Sequence, residues 1–71
     1  MLKETVELAQ AAIDELPAAQ RTVLTLRDVA EWSSKEVCEA LSITEANQRV
    51  LLHRGRSRVR AALEKHLGRD R

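Results

Sequence analysis

Between Thr44 and Arg60 the chain reads "TEANQRVLLHRGRSRVR", which gathers five arginines, a histidine and an asparagine around the apolar run Val50, Leu51 and Leu52. Guanidinium groups at this density are suited to binding anions, because each presents a planar fork of N–H donors that matches phosphate oxygens or the edge of a guanine. Catalysis is not expected of them. His53 and His66 lack a nucleophile partner, Asp14 and Glu15 form a surface acidic pair, and no glycine-rich phosphate loop is present. The expected chemistry is therefore recognition of a polyanion, with no cofactor and no small-molecule substrate.

Such a segment needs elements that hold it, and the chain supplies helical ones. Glycine and proline total three, Tyr and Phe are absent, and Ala, Leu, Glu and Arg dominate, which points to an all-α domain. Val6, Ala9, Ile13 and Leu16 recur at helical spacing, so a first helix is expected from about Lys3 to Glu15. Pro17 ends it and suits the first turn of a second helix, about Pro17 to Ala30. Ser33 followed by Glu36 forms a capping box, and Trp32 with Val37 a hydrophobic staple, at the start of a short third helix that buries Val37, Cys38 and Leu41. After the turn "SIT", Thr44 caps a long fourth helix by accepting from the N–H of Asn47, and that helix reaches Leu67 before Gly68 and a frayed polar tail.

A short helix, a tight turn and a long cationic helix read as a helix-turn-helix. At about 100° per residue, Gln48, Leu52, Gly55, Val59 and Leu63 of the last helix form one stripe, expected to face the core. Gly55 suits that stripe because a missing side chain lets a neighbouring helix come close. Roughly opposite lie Ala46, Arg49, Val50, His53, Arg54 and Ser57, a face without an acid. Long cations there reach phosphates and guanine edges, and small apolar groups meet a thymine methyl. The apolar run thus divides: Leu52 turns inward, Val50 projects with the arginines and Leu51 lies at the flank. Arg49 and Arg54 carry the functional reading most strongly, while Arg56, Arg58 and Arg60 also read as solvating, dipole-complementing charges.

Seventy-one residues fit one small domain with a modest core, too small for an enclosed active site. Cys38 is the sole cysteine, which excludes a disulfide framework and a cysteine-based zinc site and fits a small packing residue. No apolar run approaches a transmembrane span and no signal peptide precedes "MLKETVE", so a cytoplasmic protein with no membrane partner is expected. The net charge of +1 conceals a division. Residues 1–48 carry four Lys/Arg against nine Asp/Glu, whereas residues 49–71 carry eight against two. A polyanionic partner for the C-terminal third follows.

The segment from Leu16 to Leu63 resembles region 4 of bacterial sigma factors of the extracytoplasmic-function group. Three blocks in order carry the resemblance: "LPAAQRTVLTLRDV", "SSKEVCEALSIT" for the support helix and turn, and "NQRVLLHRGRSRVR" for the recognition helix. It implies a domain that binds double-stranded promoter DNA at the minus-35 element while docking on core RNA polymerase, the flap of the beta subunit being the usual contact, with an anti-sigma factor as a further partner. Thr44 and Asn47 would then hold phosphate at the start of the recognition helix. Arg49, Val50, His53 and Arg54 would face bases or adjoining phosphates, with Ser57 and Arg58 completing the DNA-binding set. The chain departs from the family pattern at Glu31, Ser42 and Ala46, where glycine is common, at Gln48, where an aliphatic residue is common, and at Val50 and Leu51, where small polar and basic residues are. The family's region 2 has no counterpart here, so an excised domain of a longer sigma factor is expected. The alternatives are the output domain of a LuxR-type response regulator, which the "LPAAQR" block fits less well, and a helical module that binds polymerase or an anti-sigma factor without DNA.

Overall fold

The computed structural model describes residues 2–67, with side chains described from Val6 to His66. Four α-helices follow one another: α1 (Leu2–Asp14), α2 (Ala18–Leu24), α3 (Ser34–Leu41) and α4 (Glu45–Leu67). Gly68 and the polar tail lie outside the described residues.

Local chemistry sets each boundary. Pro17, with ψ near 148°, sits at the N-cap of α2, one position before the first turn where the sequence suggested it, and its carbonyl accepts from the N–H of Arg21 at 2.9 Å. Arg21 also reaches back, its Nη1 donating to the carbonyls of Asp14 at 3.2 Å and Leu16 at 3.3 Å. Asp14 is the last residue of α1 and Leu16 lies just beyond it, where carbonyls lack a partner within the helix, so one side chain of α2 ties the two helices together. α2 does not stop at Leu24. It runs directly into a π-helical turn, Thr25–Val29, in which the N–H of Ala30 donates to the carbonyl of Thr25 at 2.9 Å. The expected second helix is therefore one rod with two windings, ended by Glu31 in the left-handed region at φ 64°.

At α3 the capping box is complete: Glu36 N–H donates to Ser33 Oγ at 3.1 Å, and Ser33 N–H donates to Glu36 Oε1 at 2.8 Å. The staple is only half made: Val37 is fully buried but Trp32 remains 39% exposed and lies outside the buried core. Ser42 ends α3 in the left-handed region, φ 57°, and Asn47 N–H donates to Thr44 Oγ1 at 3.0 Å to start α4.

The core is assembled from Ile13 of α1, Leu16, Val23 and Leu24, Val37 of α3 and Leu52 of α4, with Leu26, Leu41, Ile43, Leu51 and Val59 packed against it. α4 is the element that packs on all the others. Its expected stripe faces inward, with Gln48 and Leu52 buried, Gly55 buried and Val59 and Leu63 half-buried. Two expectations fail at the periphery. Val6, assigned to the apolar face of α1, is exposed, and of the three α3 residues expected to be buried only Val37 is, Cys38 and Leu41 being half-buried.

Candidate nucleic-acid interface

The acid-free face of α4 forms a shallow, open hollow of about 640 Å³ lined by Ala46, Arg49, Val50, His53 and Arg54. All five are exposed, Val50 at 46%, while Leu52 two residues on is 6% exposed. The run Val50–Leu52 is split as its helical phase requires: one residue out, one at the flank against the core, one in. Ser57 is exposed a turn beyond. Among the described residues, Arg49 and Arg54 make neither an ion pair nor a side-chain hydrogen bond with the protein. Their donors face solvent, as an anion-binding surface requires.

Thr44 and Asn47 flank the start of α4 and are exposed. Because the Thr44 hydroxyl already accepts from the Asn47 N–H, that N–H is not free for a phosphate, and any contact from these two falls to the Thr44 hydroxyl proton and the Asn47 amide. Arg58 stands apart from the hollow. It lines a separate groove with Ala12, Glu15 and Leu16 beside α1, a placement set by how α1 crosses α4 and invisible to a wheel drawn on α4 alone.

Three features escaped the sequence reading. Arg56 is not a free solvating cation: its Nε donates to Asp28 Oδ2 at 2.9 Å and its Nη2 to Asp28 Oδ1 at 2.6 Å, a bidentate pair from α4 to the π-helical turn. That hydrogen bonding holds the Asp28 carboxyl below its ordinary range against the opposing effect of partial burial, helped by the charges of Arg56 and Arg27, and it raises Arg56 further. Second, the buried Gln48 is a polar hub. Arg27 Nη1 donates to its Oε1 at 2.6 Å, and its Nε2 donates to the Ser34 carbonyl at 3.0 Å, Ser34 Oγ at 3.1 Å and Cys38 Sγ at 2.9 Å. An amide that is 1% exposed is tolerated because both of its ends are satisfied. A polar residue at the head of an apolar stripe was the available signal for such a partner. Third, Arg27 therefore belongs beside α4, although it lies 21 residues earlier in the chain.

The chain is similar in sequence to known proteins over the helices that build this face. The sigma-70 region 4 family matches residues 7–59. The chain is 43% identical over 58 residues to the ECF RNA polymerase sigma factor SigG of Mycobacterium tuberculosis, covering 80% of this chain and 16% of that protein, in both strains CDC 1551 / Oshkosh and ATCC 25618 / H37Rv. It is 31% identical over 58 residues to a probable RNA polymerase sigma factor of Haemophilus influenzae, covering 82% of this chain and 30% of that one. The chain thus spans less than a third of the length of these relatives. No solved structure matches it significantly. No described helix is long and apolar enough to cross a membrane. With all of α2 and α3 and the whole cationic hollow of α4 inside the matched segment, this chain belongs to the sigma-70 region 4 family.

Proposed function

We propose that this chain is the promoter-reading domain of an extracytoplasmic-function sigma factor, which inserts α4 into the major groove of the minus-35 element. One observation carries the reading: in a chain of this family, Arg49 and Arg54 flank the exposed Val50 on a face without an acid and have no protein partner among the described residues. The geometry suits one cationic contact on either side of an apolar one, the combination that reads a guanine or phosphate next to a thymine methyl. Thr44, Asn47, Ser57 and Arg58 extend the contact toward the flanking backbone. The family match speaks against the LuxR-type alternative.

Core RNA polymerase, through the flap of its beta subunit, is the protein partner of this reading, and an anti-sigma factor is a competing one. An apolar groove of about 300 Å³ lined by Ala18, Ala19, Thr22, Val23, Leu41, Ile43 and Leu51 lies apart from the DNA-facing hollow and supports a protein contact made together with DNA. On this reading the chain is a single region 4 domain of a longer sigma factor, works in the cytoplasm and catalyses nothing itself.

Selection of bound sites from random duplex DNA, followed by titration of the recovered site at two salt concentrations, tests the proposal. A preferred site whose affinity falls as salt rises is expected, because phosphate contacts release counterions. With one recognition helix the affinity should be no tighter than the ~10⁻⁸ M typical of complete DNA-binding proteins. Recovery of no preferred site, even with the parent protein on polymerase, would leave only the protein-interaction role.

A further inference from the structure

Trp32 is the only aromatic residue of the chain, and the core does not use it. It is 39% exposed and lines an open hollow of about 390 Å³ with Glu36, Glu39 and Ala40 of α3. The backbone on both sides of the ring is fixed. Trp32 N–H donates to the Leu26 carbonyl at 2.8 Å, Glu31 before it is held at φ 64°, and Ser33 after it closes the capping box with Glu36. A large aromatic ring on a rigid backbone loses little freedom when a partner packs on it, and residues of that kind carry much of the binding energy at protein interfaces. Neither the Trp32 side chain nor the Glu39 carboxylate has a hydrogen-bond or ion-pair partner among the described residues.

We propose that this hollow seats an arginine presented by a partner protein, its guanidinium lying against the Trp32 indole and donating to the carboxylates of Glu36 and Glu39. The inference goes beyond the DNA-binding reading and does not depend on it. Charge selects the ligand. Glu36 uses Oε1 to accept from Ser33 N–H, which leaves Oε2 for a donor from outside, and both oxygens of Glu39 are open. Lys35, the only cation of α3, is exposed but does not line the hollow. A surface of this sign repels nucleic acid and attracts a cation. Between the two cationic side chains arginine suits both walls, because its planar guanidinium stacks on an aromatic face while its forked donors match a carboxylate. A bound metal ion is the weaker candidate, since no three His, Cys, Asp or Glu side chains come together to hold one among the described residues.

Position separates this seat from the DNA-facing surface. Ser34 and Cys38 turn toward α4, where both accept from Gln48 Nε2. At about 100° per residue, Glu36 and Ala40 fall on the opposite flank of α3. The hollow shares no residue with the cationic hollow of α4 or with the apolar groove beside α2. A partner seated there meets the domain on a third face.

As the only tryptophan, Trp32 reports on its own hollow by fluorescence. Random peptides displayed on phage are panned against the chain and counter-selected against its Trp32→Leu variant, folding of every variant being checked by thermal melts. The recovered peptides should carry an arginine beside apolar residues and should shift the Trp32 emission when they bind. Each is then remade with citrulline, an uncharged isostere, in place of that arginine. Citrulline should weaken binding roughly tenfold and Glu39→Gln roughly threefold, the first removing both the ring contact and the ion pairs, the second one ion pair. A charge exchange guards against a merely structural effect: Glu39→Arg should lose the arginine peptide and gain the same peptide with glutamate at that position. Peptides without enriched arginine, a citrulline form that binds equally well, or binding that leaves the Trp32 emission unmoved overturns the seat. So does recovery of no peptide that distinguishes the chain from its Trp32→Leu variant.

Discussion

The side chain of Leu24 occupies the space beside Gly55, its Cδ1 only 3.2 Å from where a Cβ on that glycine would stand. α2 and α4 thus touch at a point where one of them has no side chain. Replacing a mid-helix glycine by alanine ordinarily gains about 1 kcal/mol of helix propensity. Here the added methyl must displace Leu24, which is 4% exposed and hemmed in by the core, and overpacking of that kind costs about 1–3 kcal/mol. Gly55→Ala should therefore be destabilising by up to about 2 kcal/mol, and Gly55→Val more so. Urea denaturation in which Gly55→Ala came out more stable would show that Leu24 swings aside.

Ser42 closes α3 with φ 57°, and Glu31 closes the π-helical turn with φ 64°. A left-handed backbone costs an L-residue about 1–2 kcal/mol, part of which glycine's extra freedom in the unfolded chain takes back. Ser42→Gly and Glu31→Gly should each stabilise by up to about 1 kcal/mol, which for a domain of this size raises Tm by about 4–8 °C. Calorimetry on the two variants checks this, and a drop in Tm for both would mean that those side chains contribute more than the strain they carry.

The Arg56–Asp28 pair gives stability an acid-sensitive component. Because Asp28 is held below its ordinary value of 3.8 when folded, its contribution is complete above that value and disappears as pH falls through the lower folded one. Both side chains are substantially open to solvent, 50% and 34%, so screening limits the contribution to about 1 kcal/mol or less. Asp28→Asn should accordingly be less stable than the parent at neutral pH and nearly equal to it well below pH ~3. Paired urea titrations at the two pH values measure it; an equal gap at both would assign the loss to something other than the charge.

Val50 and Leu52 should respond in opposite ways. Leu52→Ala empties a buried site and should cost about 2–5 kcal/mol, enough to unfold much of a small domain. Val50→Ala touches an exposed residue and should change stability by less than about 0.5 kcal/mol. It should leave the salt slope of DNA binding unaltered while weakening the preference for thymine at one position. Melts together with binding to single-base variants of the selected site decide between this arrangement and one with α4 rotated about its axis.

What the sequence disclosed and what it withheld divide along a physical line. The capping box of Ser33 and Glu36, the Thr44 cap and the stripe from Gln48 to Leu63 involve residues within a few positions or at regular helical intervals, so their geometry follows from the helix itself. That Arg49, Val50, His53 and Arg54 stand exposed on one face of α4 was legible for the same reason. Arg27 meeting Gln48, and Asp28 meeting Arg56, depend on how one helix crosses another, 21 and 28 residues away; no local period encodes that. The groove that Arg58 shares with Ala12, Glu15 and Leu16 was hidden on the same account, its surroundings being supplied by α1. The π-helical turn has no residue signature to separate it from an α-helix, and the staple pattern of Trp32 and Val37 does not say whether a wall exists behind the Trp32 ring.

That π-helical turn has a consequence for how this protein can vary. Its hydrogen bond from Ala30 to Thr25 spans five residues where an α-helical bond spans four, so the segment holds one residue more than a regular turn would, and two neighbours within it, Arg27 and Asp28, grip α4 at Gln48 and Arg56. The wider turn absorbs the spare residue. Removing any one residue between Thr25 and Val29 would let the rod wind regularly and keep the chain beyond it in nearly the same phase, yet it would shift the positions of Arg27 and Asp28 within the turn and take one or both grips off their partners. Substitutions along this stretch can be absorbed one contact at a time, whereas a change of length disturbs the hold on the recognition helix at once.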